Sequence, residues 1–139
     1  MELVLADPLP VSRVKEFQSS SGYVWSPEFF ELYTQHDGVG LRTPEDGELI
    51  WGFVPTSELP SFAASVRHWF ERTHPEVAKA FFPFFDWYCG DAIGYLRWPG
   101  IKKGTLVEFD HDYYEFKPGQ PWREFLRPSH DSIMSFLKV

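Results

Sequence analysis

The sequence predicts an α+β fold in which helices pack on a mainly antiparallel β-sheet. Helical periodicity appears early in the chain, short aromatic strand-like segments separated by turn residues follow, and helical periodicity returns at the end. This order differs from the regular alternation of strands and helices that builds a parallel sheet. Because 139 residues is the length of one ordinary domain, we expect a single domain over residues 1–139.

Two helices are predicted before the first strand. The shorter helix covers about residues 11–18, and the better specified helix covers residues 26–36. Ser26 provides an N-cap for the second helix, Pro27 suits its first position, and the Asp-Gly pair at residues 37–38 ends it. Local capping signals therefore define both ends of this helix.

The helix at residues 26–36 is also expected to carry one aromatic face. Four apolar side chains recur there at helical spacing: Phe29, Phe30, Leu32 and Tyr33. Trp25 lies immediately before the cap, where an apolar residue often packs on the fourth residue of the helix. We therefore expect Trp25 to contact Phe30.

The middle of the chain predicts a strand followed by helices. Residues 49–54 are rich in β-branched and aromatic side chains and follow the turn sequence PEDGE. A helix over about residues 59–72 is indicated by apolar residues at three- and four-residue steps: Leu59, Phe62, Ala63, Val66 and Phe70. Pro75 interrupts this pattern, and a short helix follows it in the sequence PEVAKAF.

An antiparallel meander is predicted next. Four short strand segments alternate with turn sequences, at residues 81–85, 91–96, 105–109 and 113–116. Pro83 cannot donate a ladder hydrogen bond, so we expect it at a sheet edge or a bulge. The lone Cys89 is expected to be a small buried hydrophobe among aromatic residues.

The C-terminal segments again carry helical signals. Residues 121–126 and 130–138 are both predicted to be helical. The second segment has an apolar face formed by Ile133, Met134, Phe136 and Leu137. We expect the helices to pack on a sheet built mainly from residues 49–116.

Composition and charge narrow the kinds of partner. The net charge of -7 argues against binding to phosphate backbones and suits a basic partner. One cysteine cannot form an internal disulfide, and no leader pattern is visible near the first residue. No apolar run approaches the roughly 20 residues that a membrane span needs. We therefore expect a cytoplasmic protein that binds neither nucleic acid nor membranes.

Three short motifs, in this order, resemble the SUKH superfamily of yeast cell-wall assembly regulators and bacterial immunity proteins for polymorphic toxins. VWSPEFFELYTQHDGVGL is similar to the family's early helix and its Asp-Gly turn. PFFDWYCGDAIGYL is similar to its strand, Gly-Asp turn at residues 90–91, and next strand. TLVEFDHD is similar to the strand that ends near an aspartate and a histidine. The resemblance implies an α+β protein-binding platform without catalytic activity.

The candidate binding residues cluster near the ends of the predicted strands. They are Asp86, Trp87, Asp91, Asp110, His111, Asp112, Tyr113 and Tyr114. Acidic residues steer association with a basic partner such as a toxin domain, and large aromatic residues anchor it. The sequence thus favours a non-enzymatic protein-binding module, with a housekeeping interaction or small-ligand module of the same fold as the alternative.

Chemical alternatives centre on the same residues. On an extended segment, Asp110 and Asp112 would share one face with His111 on the other, so a metal site would need the backbone to turn and a further ligand such as Asp91. Cys89 and His111 could form a thiol and base pair, and a hydrolase using the Asp and His residues is the least favoured function. Asp86 and Asp91 could act as a general acid and a general base if one of them were desolvated. We expect no catalytic residues, no metal site and no cofactor.

Overall fold

The computed structural model describes residues 2–21 and 25–138. Within them, seven strands form one antiparallel sheet: β1 (Glu2–Leu5), β2 (Val39–Arg42), β3 (Leu49–Phe53), β4 (Phe81–Asp86), β5 (Ala92–Leu96), β6 (Leu106–Phe109) and β7 (Leu126–His130). Five helices accompany the sheet: α1 (Val11–Ser21), α2 (Pro27–Gln35), α3 (Leu59–His68), α4 (Pro75–Ala80) and α5 (Ile133–Leu137). The predicted α+β class is confirmed.

The strands follow one another through the sheet in chain order, so each pairs with its neighbours in sequence. Both faces of the sheet are covered. Along β5, Ile93 and Tyr95 belong to a first core beneath α1, α2 and α5, whereas Ala92 and Leu96 belong to a second core beneath α4 and the end of α3. This alternation follows from the two-residue side-chain period of a strand. It explains why β5 reads as a continuous apolar run.

Helix α2 begins where its caps predict. The backbone N–H of Phe29 donates to Oγ of Ser26, and Pro27 occupies the first turn. The Trp25 ring stacks on Phe29 with ring centroids 4.2 Å apart, one helical position before the expected contact at Phe30. Phe29 is the first-turn residue that points at the sheet, and the Trp25 ring lies against the same core.

Strand β4 occupies the centre of the sheet, so an edge position for Pro83 is wrong. The alternative expectation of a bulge fits, because the register with β5 shifts between Pro83 and Phe85. On β5, Gly94 faces this irregular segment, and a Cβ atom there would overlap the carbonyl oxygen of Phe82. The bulge and the glycine therefore depend on each other.

The sheet is wider than predicted, and two predicted elements are wrong. Residues 113–116 do not form a strand, because a 3-10 turn at His111–Tyr113 redirects the chain. Residues 121–126 hold only a 3-10 turn at Trp122–Glu124 before β7. Residues 126–130 pair with β6 as strand β7, which ends the expected helix at residues 121–126. The C-terminal helix α5 therefore begins at Ile133, later than the predicted residue 130.

Helix α3 ends at His68, and successive turns continue from it to residue 73. No helix among residues 2–21 and 25–138 combines the length and apolar character required to cross a lipid bilayer.

Candidate protein-binding face

The turn after β6 brings a histidine onto the β4–β5 turn. The carboxylate of Asp91 accepts hydrogen bonds from the backbone N–H of His111 at 3.0 Å and from its ring Nδ1 at 2.5 Å. Oδ1 of Asp110 accepts a hydrogen bond from the backbone N–H of Asp112 at 3.1 Å. The extended arrangement expected for these residues is therefore wrong, because the 3-10 turn directs His111 toward Asp91.

Glycine at position 90 permits this close approach. Gly90 has φ +105°, a conformation that L side chains rarely adopt. A Cβ atom at this position would lie 2.9 Å from Nδ1 of His111. The Gly-Asp pair of the turn thus supplies both the space for the imidazole and the carboxylate that binds it.

Asp91 favours the charged form of the His111 imidazole. The pKa of His111 is raised, chiefly by the hydrogen bond to Asp91, while desolvation acts in the opposite direction. The charges of Asp91, Asp112 and Asp110 raise this pKa further. The ring therefore remains protonated to a higher pH than a free histidine.

We expect this pair to make folding stability depend on pH. A histidine whose pKa is raised by folding contributes its full stabilisation below the unfolded value of about 6.5, and loses it as pH rises through the folded value. From neutral pH upward, the thermal unfolding midpoint should therefore fall more steeply for the wild type than for His111→Gln. The predicted pH dependence would be contradicted if the unfolding midpoint fell equally steeply with pH in both proteins. It would also be contradicted if NMR gave a titration midpoint for the His111 imidazole at or below about 6.5.

The same cluster contains metal-binding residue types. Asp91, Asp110 and His111 can each offer one ligand atom within 4.8 Å of the other two. The backbone turn that a metal site at these residues would need is present as the 3-10 turn at His111–Tyr113. Both carboxylates are nevertheless engaged already, Asp91 by His111 and Asp110 by Asp112 and Arg127. These hydrogen bonds account for the cluster as part of the turn structure.

The proposed thiol and base pair does not form in the described part of the chain. Cys89 is exposed, so the expectation of a buried cysteine is wrong. It lies in the tight turn between β4 and β5, where the chain has left the sheet. No hydrogen bond joins Cys89 to His111, and Nε2 of His111 faces Oδ1 of Asp112 at 3.3 Å. The histidine therefore has carboxylates on both sides.

The two aspartates of the β4–β5 turn point to different partners. Oδ1 of Asp86 accepts a hydrogen bond from the backbone N–H of Tyr88 at 2.7 Å, whereas Asp91 binds His111. Burial raises the pKa of Asp86, and the hydrogen bond from Tyr88 partly opposes this effect. The pair is not arranged to share a proton.

The aromatic residues predicted as anchors divide between core and surface. Tyr114 is 5% exposed, and its hydroxyl lies 2.5 Å from Oγ1 of Thr73. Trp87 packs half-buried against the first core. Tyr113 is exposed, with its ring 4.3 Å from the guanidinium carbon of Arg127. Tyr114 is therefore not available as an anchor, whereas Tyr113 is.

Three other aromatic residues are exposed, and two of them, Trp69 and Phe116, were not singled out from the sequence. Trp69 is 38%, Tyr88 52% and Phe116 63% exposed. Tyr88 and Phe116 have φ values of 58° and 60°, and they are the non-glycine residues with positive φ among those described. For Trp69 a signal did exist, because it lies off the apolar periodicity that ends at Phe70.

These residues line one side of α3. The Trp69 ring lies 5.4 Å from the His111 ring and 6.2 Å from the Phe116 ring, measured between centroids. A groove of about 480 Å³ runs between Trp69 and Phe116 and reaches Ser65. A second groove of about 220 Å³ continues from Ser65 to Tyr88. We name the surface formed by Ser65, Trp69, Tyr88, His111 and Phe116 the α3 face.

No protein-family model matches the chain, and no curated protein matches it at a significant level. The likeness to the SUKH superfamily therefore depends on the order of its short motifs. Two of them have the predicted placement: the Gly-Asp pair at residues 90–91 immediately precedes β5, and the Asp-His pair at residues 110–111 immediately follows β6.

Proposed function

We propose that this chain is a non-enzymatic protein-binding module of SUKH type, and that it neutralises a toxin domain in the cytoplasm by binding it directly. The observation that carries the proposal is the α3 face, where large aromatic side chains are exposed beside one another. Trp and Tyr combine an apolar body with a polar tip and are enriched among interface anchors. Exposed aromatic groups of this kind favour a docking surface.

His68 and Arg72 line the larger groove of the α3 face, but the carboxylates at the edges of this face favour a basic partner. Asp112 borders the α3 face with a largely exposed carboxylate, and Asp86 and Glu58 line the groove beside Tyr88. Exposed carboxylates at an interface rim mainly accelerate association with a positively charged molecule. The net charge of -7 acts in the same direction.

The small-ligand alternative has one observation in its favour. A cavity of about 230 Å³ has an apolar lining that includes Phe17, Trp25 and Phe82, with Arg67 beside them. Typical ligand pockets have volumes of about 300–1,000 Å³, so this cavity would hold no more than a ring-sized group. The α3 face offers a larger surface, and the protein-binding proposal has the stronger support.

The test is capture of the partner from the native cell, followed by binding kinetics with the purified partner. Asp112→Asn should slow association, and the loss should shrink at high salt because rim charges are screened. Phe116→Ala should weaken binding by about 2 kcal/mol, mostly through faster dissociation. Met134→Ala, which removes an exposed apolar side chain on α5, is the matched control and should leave both rates unchanged. Unchanged kinetics in folded Asp112 and Phe116 variants would overturn the proposal.

A further inference from the structure

The groove between α3 and the β4–β5 turn has a distinctive lining. Its volume is about 220 Å³, and it is lined by Val54, Pro55, Glu58, Ser61, Phe62, Ser65, Asp86 and Tyr88. Two carboxylates, two hydroxyls and a phenol ring therefore surround a floor of apolar side chains. None of the lining residues carries a positive charge.

The two carboxylates also lack a cation nearby. Among residues 2–21 and 25–138, ion pairs form at other sites, such as Asp110 with Arg127, and none involves Glu58 or Asp86. Asp86 is half-buried, and burial raises its pKa. The pKa of the Tyr88 hydroxyl is raised first by burial and then by the charges of Asp86 and Glu58. The groove thus concentrates negative charge without a compensating partner.

We propose that this groove binds an arginine side chain of the partner protein. A guanidinium is planar and stacks on aromatic rings, which the exposed ring of Tyr88 permits. Its five N–H donors form a fork that matches carboxylate oxygens, supplied here by Asp86 and Glu58. Lysine has a more strongly hydrated, compact ammonium and cannot stack in the same way. This inference rests on the proposed function and specifies the partner chemistry for one part of the α3 face.

The probe for this inference is N-acetyl-arginine amide, titrated into the ¹⁵N-labelled 139-residue chain. Amide shifts should be confined to the groove, around Ser61, Ser65 and Tyr88. The uncharged analogue N-acetyl-citrulline amide should produce no saturable shifts, and N-acetyl-lysine amide should bind more weakly. Asp86→Asn should reduce the affinity about tenfold, because it removes a charge-assisted hydrogen bond. Asp131→Asn, an exposed aspartate outside the groove and outside the α3 face, is the matched control and should leave this affinity unchanged.

Equal shifts with the citrulline or lysine amide, shifts spread over the acidic surface, or unaltered affinity in Asp86→Asn would overturn the inference. Binding measurements with the captured partner distinguish failure of the arginine-site inference from failure of the proposed function. If Phe116→Ala loses the partner while Asp86→Asn and Glu58→Gln keep it, the protein-binding proposal stands and the arginine site is wrong. If the arginine amide binds the groove but no variant of the α3 face affects the partner, the assigned interface is wrong, while the groove's preference for guanidinium remains.

Discussion

Replacing Gly94 by alanine is expected to destabilise the fold strongly. Gly94 lies in the middle of β5 and pairs with Pro83 on β4 and Val107 on β6. An added Cβ atom would overlap backbone atoms of Phe82 and Pro83, which cannot move aside as a flexible side chain can. The cost should be about 3 kcal/mol or more, a large part of the 5–15 kcal/mol by which small domains are stable.

Urea denaturation monitored by circular dichroism measures this effect. Gly119→Ala is the matched control, because no atom lies within 4 Å of its added Cβ and its φ is not positive. We expect the control to change the free energy of unfolding by less than about 0.5 kcal/mol. A Gly94→Ala protein that unfolds at the wild-type urea concentration would show that β4 and β5 are not paired in this register.

The second large effect is expected at Phe29. Its side chain is fully buried in the first core, stacked between Trp25 at 4.2 Å and Tyr33 at 4.4 Å, measured between ring centroids. Phe29→Ala should lower the free energy of unfolding by about 3–5 kcal/mol, because it removes a buried ring and leaves a cavity. Phe30→Ala is the control, since Phe30 is only partly buried, and it should cost less than half as much. Equal losses at the two positions would contradict the orientation of α2.

The elements that the sequence predicts well are those with local signals. Ser26, Pro27 and the Asp-Gly pair at residues 37–38 define α2 through capping and turn chemistry that needs no distant partner. Strands β1 and β7 are different. Both are edge strands, and Pro128 is tolerated in β7 because the outer side of an edge strand needs no ladder donor. Their formation depends on pairing with β2 and β6, which no local pattern reveals.

The same distinction applies to the binding face. The sequence placed Asp91 and His111 at neighbouring strand ends, and the structure joins them by a hydrogen bond. The sequence did not predict that Tyr114 would be buried or that Trp69 and Phe116 would be exposed side by side. In a chain that is 19% aromatic, the exposure of each ring is decided by tertiary packing around turns such as His111–Tyr113.

The protein is proposed to bind its partner through the α3 face, and isothermal titration calorimetry with the purified partner tests this binding most directly. The wild type should form a saturable one-to-one complex that blocks the partner's toxic activity. The double variant Trp69→Ala/Phe116→Ala should bind at least roughly 30-fold more weakly, which is the loss of about 2 kcal/mol expected from Phe116→Ala alone, while Met134→Ala should bind like the wild type. A folded double variant with wild-type affinity would contradict the claim and place the interface on another surface.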